Sequence, residues 1–349
     1  MAHLSKSAGL QSSMFGNCFR GFQKLADSLG FPLRLEIAES DGIYAKFAYA
    51  SEDGQTKDAC IKHCFVANGR GRAYTLEQHG FALSSLPWHQ HVPLGADLYN
   101  PAEASQVLYP LAEDVLRREF PSCTKVLIFD HIARNKERYT KETMSGEHSQ
   151  AFKTPLLASG PAFSVHGDYT VRSGFTRARS LLEPHETEER ISDALRQRFA
   201  FVNVWVPLEE VHRDPLGLIE WESQRPCDVS NLQFIYKHRV GEIYRVVPSS
   251  QHRWAYFPRM IPGECLVVKT FESATDGRAR FSLHSAFEDS TAKPEAPARE
   301  SIELRCIVFF GDLPSDFATS FIAPHLALGS PDQDLGPEEV IASTPGDEW

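Results

Sequence analysis

The sequence predicts a mainly β protein with flanking helices, an α+β chain organised around a double-sheet jelly roll. Between residues 163 and 310, about seven or eight short runs rich in β-branched and aromatic residues follow one another, with turn signals between them. Apolar residues at helical spacing occur instead over residues 15–29, 101–120 and about 170–198. No internal repeat of the solenoid or propeller kind is present.

The 349 residues are within reach of one large β-rich domain with helical additions. We expect an N-terminal extension over residues 1–75 packing on the core, a jelly-roll domain over 76–323 and an acidic tail over 324–349. A formal charge of −10, with no basic stretch to override it, argues against a nucleic-acid or acidic-membrane binder. The seven scattered cysteines read as reduced thiols and not as a disulfide framework. No signal-peptide pattern and no membrane-length apolar segment is visible, so the expected setting is cytoplasmic, as a monomer or homodimer.

In chain order, the helical spacing of 15–29 stops at Gly30-Phe31-Pro32, and residues 33–37 and 43–49 alternate as strands. Cys60, His63 and Cys64 lack a second ligand pair and read as a strand with buried thiols. Trp88-His-Gln-His91 reads as a strand with two histidines on one face, at the surface or beside a substrate. The helix over 101–120 is closed by Pro121, and 125–131 is an apolar strand. The Lys-, Glu- and Ser-rich residues 135–153 read as an exposed loop. Further strands are expected at 199–207, 234–236, 242–247, 252–258, 264–271, 280–287 and 301–310. Asn68-Gly-Arg-Gly-Arg72 is not a dinucleotide-binding loop, since no strand-to-helix context surrounds it.

The chemistry centres on Val165-His166-Gly167-Asp168-Tyr169-Thr170. On an extended strand, His166 and Asp168 point to one side, because side chains alternate with a period of two. One imidazole and one carboxylate are two thirds of the two-His-one-carboxylate face that holds non-haem Fe(II). A jelly roll supplies the third ligand from a strand folding back from downstream, and His284 and His252 both qualify. His284 is preferred, because Arg299 and Arg305 follow it on the last strand. A guanidinium there is a bidentate fork for the distal carboxylate of 2-oxoglutarate.

Together these segments resemble one family. His166-Gly-Asp168-Tyr-Thr170, Phe201-Val-Asn203-Val-Trp205-Val-Pro207, His252-Arg-Trp254, Lys269-Thr-Phe-Glu-Ser273, His284-Ser-Ala-Phe287 and Arg299 to Arg305 occur in the order seen in the AsaB-type hydroxylase/desaturase family. That family also contains CmcJ-like and gibberellin-desaturase-like proteins of secondary metabolism. Tyr74 to Phe81 and Val126 to His131 extend the resemblance, which covers about residues 70–310. Val206 and Ala255 depart from it, where the family usually carries Arg and a second aromatic.

The resemblance implies a double-stranded β-helix core and an Fe(II)- and 2-oxoglutarate-dependent oxygenase using O2. It implies decarboxylation to succinate and hydroxylation, desaturation or ring closure at an unactivated carbon of a small-molecule substrate. His166, Asp168 and His284 (or His252) would hold iron, and Arg305 and Arg299 the oxo acid. Tyr169, Arg172, Trp205 and Arg253 are the candidate substrate contacts. The alternatives are a cupin-like metalloprotein without an oxo acid, and a non-catalytic binding protein with a degenerate site.

Overall fold

The computed structural model describes residues 41–51, 59–144, 160–235, 240–313 and 338–340, all within the unit Asp41–Trp349. The expected helix at 15–29 and strand at 33–37 lie outside the described residues. In chain order the strands are β1 (Gly42–Tyr49), β2 (Cys60–Asn68), β3 (Phe81–Leu86), β4 (Lys125–Asn135) and β5 (His166–Gly167). Next come β6 (Phe199–Pro207), β7 (Leu216–Ile219), β8 (Val229–Ile235), β9 (Val240–Val246) and β10 (Trp254–Tyr256). The last are β11 (Gly263–Glu272), β12 (His284–Ala286), β13 (Glu300–Phe309) and β14 (Glu338–Val340). The helices are α1 (Pro101–Glu119), α2 (Lys136–Met144), α3 (Val171–Leu182) and α4 (Glu188–Arg196).

Two sheets form, ordered β1-β2-β10-β7-β12-β5-β9-β8-β14 and β3-β11-β6-β13-β4. Within them the quartets β10-β7-β12-β5 and β11-β6-β13-β4 are antiparallel throughout. Those eight strands are the double-sheet jelly roll the sequence predicts. The remaining strands lengthen the sheets at their edges.

Faces of the strands sort the core. On β7 and β10, Leu218 and Ala255 pack with Trp205, Leu266 and Val268 of the other sheet. Their neighbours Ile219, Trp254 and Tyr256 point the opposite way, into a second cluster with Phe47 and Tyr49. β6 is buried along its whole length, so its even-numbered residues also face a core. That core is built with α1, whose Ala104, Leu108, Ala112, Val115 and Leu116 recur at helical spacing. Asn100 caps α1 by accepting from the Ala102 N–H at 3.0 Å, and Pro101 takes the first helical position.

Several elements differ from expectation. β1 and β2, assigned to the N-terminal extension, are strands of the larger sheet, paired along eight positions. Residues 135–153 are not wholly a loop, because Lys136–Met144 form α2 with Asn135 accepting from the Arg138 N–H. Trp88–Gln90 form a 3₁₀ turn that buries Trp88 and leaves His89 and His91 exposed. The helical stretch after Thr170 is two helices, broken at residues 183–187 and restarted by Thr187 as a cap. Cys60 and Cys64 are half-buried, and the described cysteines are free thiols. β7 was not anticipated; its four residues Leu-Gly-Leu-Ile carry too short a pattern to stand out.

Candidate metal centre

β12 lies between β7 and β5, and the register sets His284 opposite both Leu218 and His166. Since Leu218 faces the space between the sheets, both imidazoles enter that space as well. Their ring centroids are 4.5 Å apart. β5 ends at Gly167, and Asp168 follows in a bend, still turned toward the rings. Gly167 itself is tightly enclosed; a Cβ there would lie 3.0 Å from Leu283. One potential ligand atom each from His166, Asp168 and His284 fall within 4.8 Å of one another.

The protonation pattern suits a cation. Each ring donates its Nδ1–H to a carbonyl two residues earlier, His166 to Ser164 at 2.7 Å and His284 to Ser282 at 3.0 Å. That leaves Nε2 as the ring atom turned toward Asp168 Oδ1, at 3.4 and 3.6 Å, and as the atom available to a metal. Burial disfavours charge on Asp168, but His284, His166 and Arg305 outweigh it and hold the carboxyl far below its usual range. Burial and the neighbouring His166 push His284 downward, toward the neutral form that binds metal. Burial would lower His166 too, but contact with Asp168, its negative charge and the Ser164 carbonyl outweigh burial and raise it.

His252 does not join this group. Its side chain is fully buried, with Nδ1 at 3.1 Å from the Tyr49 hydroxyl and Nε2 at 3.3 Å from Asp228. It stacks on Tyr49, which also accepts from Trp254 Nε1 at 2.9 Å. Nδ1 is engaged by Tyr49 while Nε2 lies at ion-pair distance from Asp228 without a hydrogen bond, and the ring stays beside the second cluster, away from the triad.

The smaller sheet supplies the opposite wall. On β13, Ser301, Glu303 and Arg305 alternate on one face and pair with Pro207, Trp205 and Asn203 of β6. Arg305 is held by Asp130 at 3.2 Å and Glu303 at 3.4 Å. A bulge between Arg305 and Cys306 leaves Phe129 of β4 unpaired, so Asp130 faces Arg305 while Ile128 turns to the α1 core. Arg299, just before β13, is 3% exposed and has no ion-pair partner among the described residues. It donates to the Asp214 carbonyl and lies 5.5 Å from the Trp205 ring. Burial, aided by repulsion from Arg134, pulls its pKa down to about 10. Its Nε and the Ser301 Oγ are buried with no hydrogen-bond partner among the described residues. Arg134 also depresses His166, so it lies near both the triad and Arg299.

Of the expected substrate contacts, Tyr169 stacks on Phe201 at 4.6 Å and senses both Arg305 and Asp168. Trp205 packs between the sheets. Arg172 and Arg253 are not brought to the triad. Arg172 is 65% exposed and pairs with Glu242, and Arg253 is 52% exposed and pairs with Glu220 and Glu222. Sequence reasoning assigned no role to Asn203, whose Nδ2 donates to Asp168 Oδ2 at 2.8 Å. Its signal was there: it is the one amide in an otherwise apolar strand. Asp130, Arg134 and Ser301 carried no such mark, since their position depends on pairing across β4 and β13.

The chain is similar to several known proteins. A family described as an oxidoreductase/YMDC permease-like domain matches residues 40–309. Among the described residues, no helix is long and apolar enough to cross a membrane. The hydroxylase/desaturase efuI of Hormonema carpetanum is 31% identical over 211 residues, covering 56% of this chain and 68% of the relative. A hydroxylase/desaturase of Cercospora beticola is 28% identical over 261 residues, covering 71% and 76%. The solved structure of the iron and alpha-ketoglutarate-dependent endoperoxidase NvfI superposes with a TM-score of 0.63 at 20% identity, covering 78% of this chain and 100% of that one. At that identity the structural likeness is one of fold.

Proposed function

The chain belongs to the AsaB-type hydroxylase/desaturase family, and from that premise we propose that it is an Fe(II)- and 2-oxoglutarate-dependent oxygenase of secondary metabolism. The observation that supports this most directly is the pairing of two buried, unsatisfied groups, Arg299 Nε and Ser301 Oγ, with a His-Asp-His cluster. A buried guanidinium lacking a counter-ion is costly, and a carboxylate from a ligand would relieve it.

In this reading His166, Asp168 and His284 hold Fe(II), and Arg299 with Ser301 receives the distal carboxylate of 2-oxoglutarate. The donor set is the one non-haem iron favours, and it occupies one face only. When bound, iron with 2-oxoglutarate and O2 supplies an oxidant able to remove hydrogen from an unactivated carbon, with release of succinate and CO2. The residues of the chain bind and orient. The Nδ1–H bonds to Ser164 and Ser282 keep both rings aimed at Asp168. Arg305 already has Asp130 and Glu303 as partners and has less need of a ligand carboxylate. We assign it, with Tyr169 and Trp205, to the substrate side of the site. Hydroxylation, desaturation or ring closure then depends on which carbon these groups present.

A cupin-like site without an oxo acid leaves the Arg299–Ser301 pair without a use. The substrate is a small molecule, and the free thiols of the described cysteines support a cytoplasmic setting. The test is an aerobic assay with Fe(II), 2-oxoglutarate and a panel of secondary metabolites, following succinate and product mass. Gain of one oxygen identifies hydroxylation, and loss of two hydrogens identifies desaturation or cyclisation. Failure of the purified protein to bind Fe(II) or 2-oxoglutarate at all would overturn the proposal.

A further inference from the structure

We propose that Asn203 is a positioning residue that restricts Asp168 to ligation through a single oxygen. The proposal rests on the metal assignment above and extends it to a residue outside the ligand set.

The argument starts from β6. Between Phe199 and Pro207 every residue is buried, and Asn203 is 5% exposed. An amide in such a strand is unfavourable unless it is hydrogen-bonded. Asn203 spends one donor on Asp168 Oδ2 at 2.8 Å. The other carboxylate oxygen, Oδ1, is the one at 3.4 Å from His166 Nε2 and 3.6 Å from His284 Nε2. The two oxygens are thus divided: one faces the imidazoles, and the other is occupied by a donor fixed in a central strand. β6 is held by β11 on one side and β13 on the other, so the amide has little freedom to follow a rotating carboxylate.

A carboxylate with both oxygens free can swing to chelate a metal, and each position it takes is lost to exogenous ligands. An iron site that must accept a chelating oxo acid beside a further ligand needs those positions. Asn is suited to the task, because it donates without carrying charge and without titrating. A Lys or Arg there would instead compensate the Asp168 charge that the cation needs. Outer partners of this kind commonly alter metal affinity by about 10–100-fold when removed.

The experiment uses Co(II) as the probe, in the full chain, with the wild type, Asn203→Leu and Val204→Ala. Asn203→Leu removes the donor while keeping the branched shape and the number of heavy atoms. Val204→Ala weakens the same strand on its opposite face, toward the α1 core. Measured are Co(II) affinity by chelator competition, the visible spectrum of the Co(II) protein, 2-oxoglutarate affinity for that protein, and the melting temperature without metal. In Asn203→Leu we expect Co(II) affinity to change by about 10–100-fold. Its Co(II) spectrum should change and its 2-oxoglutarate binding weaken, while apo melting stays level or rises. Val204→Ala should melt lower with wild-type affinity and spectrum. Wild-type affinity and spectrum in Asn203→Leu overturn the proposal. Should that variant fail to fold, Asn203→Gln, which displaces the amide by one methylene, decides by the same readouts. Absence of Co(II) binding by the wild type would sink the metal assignment itself, a separate outcome.

Discussion

Arg299, just before β13, and Ser301 on that strand stand two residues apart, and each carries a buried polar atom with no hydrogen-bond partner among the described residues. Arg299 and Arg305 are six positions apart, yet the two guanidiniums are in opposite situations. Arg305 has two carboxylates within 3.4 Å. Among the described residues, Arg299 has a backbone carbonyl and the face of Trp205.

That contrast predicts a division between the two. Arg299→Met should weaken 2-oxoglutarate binding by about 2 kcal/mol or more, roughly 30-fold, because a buried charge pair loses one member. Arg305→Met should leave the affinity within a few-fold. Calorimetry on the Co(II) protein measures both, and a reversed order would return the oxo acid to Arg305.

Ser301→Ala should move two quantities in opposite directions. The hydroxyl is an unsatisfied buried group in the free protein, so its removal should leave apo stability unchanged or slightly raised. If it bonds the ligand, its loss should cost about 1 kcal/mol of 2-oxoglutarate affinity. A fall in apo melting temperature with unchanged affinity would mean that Ser301 serves packing alone.

The two histidines offered as third ligand should separate cleanly. His284→Ala should abolish stoichiometric iron binding. His252→Gln should retain iron and lose stability instead, since it breaks the Tyr49–His252–Asp228 chain. Metal content and thermal melting of the two variants check this.

The same chain predicts an acid-sensitive contribution. Burial would raise Asp228, but His252 and Arg225 bring it from 3.8 down to about 2. A carboxylate depressed in the folded state stabilises fully above its unfolded value, and that stability is lost as pH falls through the folded value. Melting temperature should therefore drop between about pH 4 and pH 2, and Asp228→Asn, less stable at neutral pH, should show a shallower drop.

Arg172 and Arg253 were expected to meet substrate, but each sits in an exposed ion pair. Such pairs are worth about 0–1 kcal/mol. Alanine at either position should leave kcat and KM within about two-fold of wild type, by steady-state succinate release.

How much of this was legible in the chain follows from the range of the interactions. The jelly roll, the strands at residues 199–207 and 301–310, and the helix starting at Pro101 rest on local patterns of two and 3.6 residues, which the sequence carries outright. The His-x-Asp pair and the types of residue that follow it were legible for the same reason. Choosing His284 over His252 was a different matter. It depends on β12 pairing with β5, with β7 as the neighbour that fixes which way His284 faces, and β7 is only four residues long. Likewise the two arginines look alike in sequence. Glu303, a neighbour on the same strand, and Asp130, brought to Arg305 by a bulge in a strand 175 residues earlier, set them apart. Asn203 shows the same limit: a lone amide in an apolar strand is visible at once, but the carboxylate oxygen it restrains is not. Local periodicity determined the elements and the chemistry available. Long-range pairing decided which charges were compensated and which were left open to a ligand, because desolvation and partnering are properties of the assembled core.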